Sequence, residues 1–353
     1  MRAGSLRIGI FARSSSGSDK RAWRDCVLPT ANYSLGTDNL THSLTGALIG
    51  QAGLKRKTGL AMPALIIGAN LPDVDVTCFL WLSGSEHLAF RRGITHGPIA
   101  WVLLPLALAG LLWGFDRWQA RRGKRPAARL PVSFPWLYLL SFIACLTHPA
   151  LDWMNSYGIR LLEPFSSRWF YGDVLFIIDL WLWLGMGFAT WLSLRREKRG
   201  GDWKKPARIA IAASLAYIGV NAGITWYQEG VNGRLAEPYP VVAIASPVLV
   251  AFWDRERLAK LGEGVWLSSK GEGGSFGYGY GFVAATLCRL PDTDALRRTN
   301  ADLDAFLFWS RAPFAEAAED GSVVIRDARF AGGPTRSSFF VALPEVACEP
   351  LSD

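Results

Sequence analysis

From Leu130 to Leu151 the chain has no Asp, Glu, Lys or Arg, and the run ends on His148-Pro149-Ala150-Leu151-Asp152. Wound as a helix it would reach about 33 Å, enough to cross a hydrocarbon core of about 30 Å. A carboxylate at the end of such a span costs free energy unless it has a partner. His148 and Asp152 are four residues apart, so on a helix they share one face, one turn apart. That spacing presents an imidazole and a carboxylate to one metal ion, although it equally makes a helix-end hydrogen bond. Scarcity favours the metal reading. The chain has only four histidines, and His42, His87, His96 and His148 all lie near acids or at the ends of apolar segments.

The other segments repeat this arrangement. Asp38-Asn39-Leu40-Thr41-His42 opens a short helix that Asp38 or Thr41 can cap, closed by Lys55-Arg56-Lys57. The apolar stretch Thr58 to Leu82 is interrupted by Asn70-Leu71-Pro72-Asp73-Val74-Asp75. Broken backbone at membrane depth is tolerated where it is buried in protein or lines a cavity. The same Pro-Asp-x-Asp is also a turn that caps a helix. His96-Gly97-Pro98 stands at the mouth of a span that reaches Phe115. Val174 to Leu194, holding the single acid Asp179, and Ile209 to Gln228 are further spans.

Loop charges set the orientation. Segments 116–131 and 195–208 carry six and seven Lys/Arg, whereas 83–96 and 153–173 carry two each. By the positive-inside rule the basic loops are cytoplasmic. His96, His148, Asp152, Asp173 and Asp179 then gather near the outer face. Asp73 and Asp75 lie about 23 Å or more along their segment from its inner start, on the same side.

With a mean hydropathy of +0.17, the chain is too apolar for a typical soluble enzyme and too polar to lie wholly in lipid. Residues 1–37, rich in Ser, Arg and Gly, read as a disordered extension, and 38–228 as the membrane domain. Residues 229–353 carry an excess of acids and short strand-like runs around 241–247, 278–286, 323–325 and 339–343, with a helical pattern over 302–309. The expected fold is therefore an all-α membrane bundle of about 4–5 spanning or re-entrant helices, followed by a small extracytoplasmic α+β domain. The glycine-rich piece 271–281 has no following helix and no Lys-Ser/Thr, so a hairpin is expected there and not a phosphate loop. No Cys-x-x-Cys pair occurs, while Cys288 and Cys348 can bridge if their domain is extracytoplasmic. A basic half in an apolar chain matches cytoplasmic loops beside anionic lipid; no nucleic-acid partner is expected.

Asp38-Asn39-Leu40-Thr41-His42-Ser43, Leu71-Pro72-Asp73-Val74-Asp75, Arg91-Arg92-Gly93-Ile94-Thr95-His96-Gly97-Pro98 and Leu146-Thr147-His148-Pro149-Ala150-Leu151-Asp152 resemble the predicted membrane-bound metal-dependent hydrolases of the YdjM/YbcI type. The resemblance covers roughly 38–250, and the tail is similar to that of a longer subgroup. It implies a bacterial inner-membrane location and a metal site at His42, Asp73, Asp75, His96, His148 and Asp152. Many relatives read His-Arg-Gly where this chain has Arg91-Arg92-Gly93, so a histidine ligand at that position is missing here.

The residues then suggest one or two divalent ions, zinc first, activating water and polarising a phosphoryl or acyl oxygen. Arg92 is the candidate to hold an anionic group and Asp179 the candidate to orient a ligand histidine. A site at the outer leaflet calls for an amphipathic or lipid-linked substrate in the bilayer. Two other classes share the same residues: a transporter or ion-binding protein, and a non-catalytic anchor presenting the C-terminal domain to an envelope partner.

Overall fold

A computed structural model describes residues 38–235, 244–270, 272–276, 280–332 and 335–351. Residues 1–37, expected to be a disordered extension, lie outside the described residues. Helix α1 (Asn39–Gln51) is capped by Asp38, whose Oδ1 accepts the Thr41 N–H at 3.0 Å. Helix α2 (Ala61–Asn70) does not continue regularly. With Pro72 in its first turn, the chain tightens into a 3-10 helix over Leu71–Leu80. Side chains three apart eclipse in that winding, so Pro72, Asp75 and Cys78 stack on the buried side. Asp73 is buried with them, while Val74, Val76 and Leu80 face outward.

After the short α3 (Glu86–Phe90) come α4 (Pro98–Arg121), α5 (Phe134–Trp153), α6 (Leu180–Lys198) and α7 (Lys204–Leu235). Four helical stretches, Ala61–Leu80, Pro98–Arg121, Phe134–Trp153 and Lys204–Gly230, are long and apolar enough to cross a membrane. The span expected over 174–194 is shorter as a helix. Residues before Leu180 are not helical, and Asp179 caps α6, whose last turn already holds Arg195, Arg196 and Lys198.

Small residues set the spacing of α1, α2 and α5. A Cβ on Gly46 would meet the Leu65 carbonyl oxygen at 2.4 Å, and one on Gly68 would lie 3.1 Å from the Ala144 Cβ. Close backbone approach of this kind is how helices pack in lipid, where burial of apolar surface between helices offers little. It brings His42, the Asp73 turn and the His148 face into one layer.

The C-terminal region forms two small antiparallel sheets. One runs β1-β2-β3-β5-β4, from β1 (Ile244–Pro247), β2 (Arg255–Gly262), β3 (Val265–Ser268), β4 (Glu272–Phe276) and β5 (Tyr280–Phe282). The other runs β6-β7-β8-β9, from β6 (Leu287–Cys288), β7 (Pro313–Ala317), β8 (Ser322–Asp327) and β9 (Phe340–Ala347). Between β6 and β7 lie α8 (Thr293–Leu296) and α9 (Ala301–Trp309). The glycine-rich piece pairs as β4 against β5, with Phe276 opposite Tyr280. Cys288 and Cys348 form a disulfide.

This domain is rooted in the membrane loops. Leu88, Tyr157 and Ile177 share a core with Phe306, Trp309, Phe330 and Phe339. The Trp309 indole N–H donates to the Tyr157 carbonyl at 3.0 Å, and Tyr171 O–H to that of Trp309 at 3.1 Å. Arg255 of β2 reaches α7, donating to Thr225 Oγ1 at 2.9 Å and Asn221 Oδ1 at 3.0 Å.

Candidate metal site at one end of the helices

Asp152, at the last turn of α5, is the hub. His42 Nε2 of α1 lies 3.4 Å from its Oδ1, and Arg92 Nη2 lies 3.1 Å from the same oxygen. His96 Nε2 and His148 Nε2 each lie 3.4 Å from its Oδ2. Asp73 Oδ2 stands 3.7 Å from His148 Nε2, and the His42 and His148 rings stack with centroids 3.8 Å apart. All these side chains are buried. Residues spread from 42 to 152 thus lie in one buried cluster.

The outer nitrogens of two imidazoles are tied down. His148 Nδ1 is 2.7 Å from the Ala69 carbonyl oxygen. A carbonyl only accepts, so Nδ1 carries the proton, and in the neutral ring Nε2 presents a lone pair. His96 Nδ1 is 2.9 Å from Thr95 Oγ1, which itself donates to Asp75 Oδ2 at 3.3 Å. The hydroxyl proton is used there, so His96 Nδ1 is the donor and its Nε2 is bare. This outer-sphere pattern fixes the tautomer and ring direction of metal-binding histidines.

Two bare nitrogens then face a carboxylate oxygen. His96 Nε2, His148 Nε2 and Asp152 Oδ2 are buried and form no hydrogen bond. Lone pairs converging without a positive partner repel, and buried polar atoms left unsatisfied cost about 1–3 kcal/mol each. A divalent ion removes that cost. Tetrahedral ligands about 2.1 Å from zinc are about 3.4 Å from one another, which matches the spacing of these donors. His96, His148 and Asp152 form one group able to hold an ion, and His42, Asp73 and His148 a second, each with its donor atoms within 4.8 Å of one another.

Two assignments exchange places. Asp75, read from the sequence as a ligand, is buried but spends its oxygens on Arg91, Arg92 and Thr95. It accepts the Arg92 N–H at 2.8 Å, pairs with Arg91 Nε at 3.4 Å and backs the Thr95–His96 link. It does the orienting that the sequence suggested for Asp179. Asp179 uses Oδ1 to accept the Leu182 N–H at 2.9 Å and Oδ2 to accept the Tyr217 hydroxyl at 2.9 Å. The helix cap claims it because α6 begins there. It borders the site only across a cavity of about 20 Å³ that it shares with His42, Asp152 and Asn155.

Arg92, expected to clamp an anion, is itself clamped. It has a left-handed backbone at φ 53°, and its guanidinium donates to Asn155 Oδ1 at 3.0 Å and the Gly158 carbonyl at 3.2 Å besides pairing with Asp152. The strained backbone lets consecutive arginines enter one pocket. Arg91 Nη2 lies 3.0 Å from Asp73 Oδ1, so it bridges Asp73 and Asp75. Sequence reasoning marked Arg91 only as a missing histidine. Its charge beside two acids in a chain with few charges at membrane depth was the available signal. Asn155 carried none, because its role depends on how the loop after α5 folds back.

The sequence pattern of the YdjM inner membrane protein family matches residues 38–228. The chain is also 28% identical over 140 residues to the uncharacterized protein YfhP of Bacillus subtilis (strain 168), a stretch covering 37% of this chain and 38% of that protein. The chain therefore aligns with well under two thirds of that relative. No solved structure matches.

Proposed function

The chain belongs to the YdjM inner membrane protein family, and from that premise and its site geometry we propose a membrane-embedded, metal-dependent hydrolase working at the outer face of the bacterial inner membrane. The carrying observation is the convergence of His96 Nε2, His148 Nε2 and Asp152 Oδ2, buried and without hydrogen bonds. In this reading His42, Asp73, His96, His148 and Asp152 hold one or two divalent ions, zinc first. When bound, such an ion supplies a Lewis acid that activates water and polarises a phosphoryl or acyl oxygen.

The protein's own groups do the rest. Thr95, Asp75 and the Ala69 carbonyl keep the two Nδ1 protons outward and both Nε2 lone pairs inward. The cavity of about 20 Å³ between His42, Asp152 and Asp179 is large enough for one water. With a single ion held by His96, His148 and Asp152, His42 Nε2, 3.4 Å from Asp152 Oδ1, is placed to take a proton from a water there. Arg92 lends positive charge toward an anionic group while holding Asp152 in place.

The outer-face assignment is supported from two sides. The basic segments 116–131 and 195–208 lie at the opposite helix ends from the site. The Cys288–Cys348 disulfide, in the domain packed on the site's end, suits an oxidising compartment. A reporter fused after Asp353 and active only outside the cytoplasm should be active. Elemental analysis of the purified chain should find one or two equivalents of zinc or manganese, with turnover of a phosphate or carboxylate ester. Metal without turnover would move the reading to an ion-binding or transport protein. No metal would end both.

A further inference from the structure

Beside the His/Asp site, among α1, α5, α6 and α7, lies a second cavity of about 240 Å³. It equals about eight times the volume a water takes in the liquid, and it is a groove open on its outer side, where Leu215 of its lining is exposed. Its wall includes Leu48, Ile49, Leu151, Met186, Leu215 and Ile218. Threonines also line it, yet their hydroxyls are spent elsewhere. Thr45 Oγ1 donates to the Thr41 carbonyl at 2.8 Å and Thr147 Oγ1 to that of Ala144 at 2.7 Å. Thr41 Oγ1 bonds Asp38 and accepts the Trp183 indole N–H at 2.9 Å. Apart from the Ser214 hydroxyl, what faces the cavity is therefore apolar, and water has little to bind there.

The cavity adjoins the site. Thr41, Leu151 and Leu182 line both it and the small cavity that holds His42, Asp152 and Asp179. From Thr41 to Ile49 its wall follows α1 for about 12 Å, away from the site and toward the basic end. Its flanks are two membrane-crossing helices, α5 and α7, so its surroundings are acyl chains. A groove of this kind, largely dry and ending beside buried His and Asp, fits one occupant: a hydrocarbon chain whose polar head lies toward the site.

We propose that this slot is the acyl-chain subsite for a phosphate-bearing lipid substrate of the His/Asp centre, an assignment that rests on the hydrolase reading above. The chain sets the depth of the head, so His42 and Asp152 meet the ester bond nearest the acyl end and not a free soluble phosphate.

The test uses the full chain in vesicles of phosphatidylcholine doped with phosphatidic acid carrying a diazirine in one acyl chain. Photolysis should mark segments 147–154 and 211–218 at least fivefold more than the outward residues Leu103, Leu106 and Leu111 of α4. Diazirine phosphatidylcholine should mark the slot at least fivefold less than phosphatidic acid. Ser214→Trp, which fills the slot from α7 without touching a site residue, should cut the marking at least fivefold and leave metal content unchanged. Ala150→Leu does the same with less bulk should tryptophan prevent folding. Equal marking of slot and α4, equal marking by both lipids, or indifference to both substitutions overturns the subsite. Turnover of a short water-soluble phosphate ester separates the two readings. If it persists while the slot is unmarked, the subsite fails and the hydrolase stands; if the slot is marked and no ester is cleaved, the hydrolase fails and the lipid slot stands.

Discussion

Two of the buried charge clusters among the described residues are satisfied to different degrees. In the C-terminal domain Asp327 Oδ1 accepts the Arg329 backbone N–H at 2.9 Å and its Nε–H at 2.8 Å. Its Oδ2 accepts from Arg329 Nη2 at 2.8 Å, Ser310 Oγ at 2.6 Å and the Arg311 N–H at 3.0 Å. Arg329 Nη1 finishes by donating to the Ser156 carbonyl at 2.6 Å, and its guanidinium lies over Trp309 at 4.9 Å. Neither residue has a buried polar atom without a partner. The cluster at Asp152, by contrast, leaves three imidazole nitrogens, of His42, His96 and His148, and an oxygen of Asp152 without hydrogen bonds. A cluster that closes on itself serves structure. One that stays open toward a common point is arranged for something that is added.

The largest expected effect falls on the closed cluster. Asp327→Ala leaves Arg329 charged, buried and unpaired, and should destabilise the C-terminal domain by about 3–5 kcal/mol. Thermal unfolding followed by tryptophan fluorescence reads this through Trp309. A loss below about 1 kcal/mol would mean that the pair is no keystone and the contrast is weaker than the geometry suggests.

The open cluster should respond differently. His148→Ala removes a donor from both candidate metal groups, and bound metal should fall by at least about 100-fold, with little loss of folding because the site carried unsatisfied atoms to begin with. Asp75→Asn should cost about 10–100-fold in metal affinity by loosening the Thr95–His96 link. Metal retention in both variants, measured by elemental analysis after dialysis, would reduce the pocket to an interhelical hydrogen-bond network.

Acid sharpens the comparison further. Burial alone would raise the Asp327 carboxyl, but the Arg329 guanidinium, with the Ser310 and Arg329 hydrogen bonds, outweighs it and holds the group at about 2. A carboxylate depressed in the folded state stabilises fully above its unfolded value of about 3.9, and that contribution is lost as pH falls from about 4 toward 2. The contribution at neutral pH is about 2 kcal/mol. The difference in stability between the parent and Asp327→Asn should therefore shrink over that acid range. A difference independent of pH would show that the pairing does not set the titration. Near Arg311, Asp173 goes the other way: burial raises it despite the ion pair.

Much of the open cluster could be read from the sequence because its signals are local and rare. His148 and Asp152 share a helical face by spacing alone, and Pro72 with Asp73 announces a broken helix at membrane depth. Of the short strands expected over 241–247, 278–286, 323–325 and 339–343, the described residues form strands at Ile244–Pro247, Tyr280–Phe282, Ser322–Asp327 and Phe340–Ala347. What escaped were partnerships made across distant elements. β2 is not an apolar run, so Arg255, Glu256 and Arg257 hid a strand. The closed pair Asp327–Arg329 was legible only as part of a familiar tail. Its partners Ser156 and Trp309 come from a membrane loop and from α9, and no period in the sequence links them.

The smallest effect concerns Asp179, where the two clusters could still be confused. It borders the open site, yet its oxygens are committed to Leu182 and Tyr217 like those of a closed cluster. As a helix cap it should cost about 1 kcal/mol on Asp179→Ala, with Asp179→Asn nearly neutral because asparagine caps equally well. Neither variant should change metal content. If Asp179→Asn kept stability but lost metal several-fold, its carboxylate would be acting on His42 or Asp152 through a water in the 20 Å³ cavity, and the orienting role would be shared between Asp179 and Asp75. Retained metal with a modest fall in unfolding temperature leaves Asp75 in that role and keeps Asp179 on the structural side of the comparison.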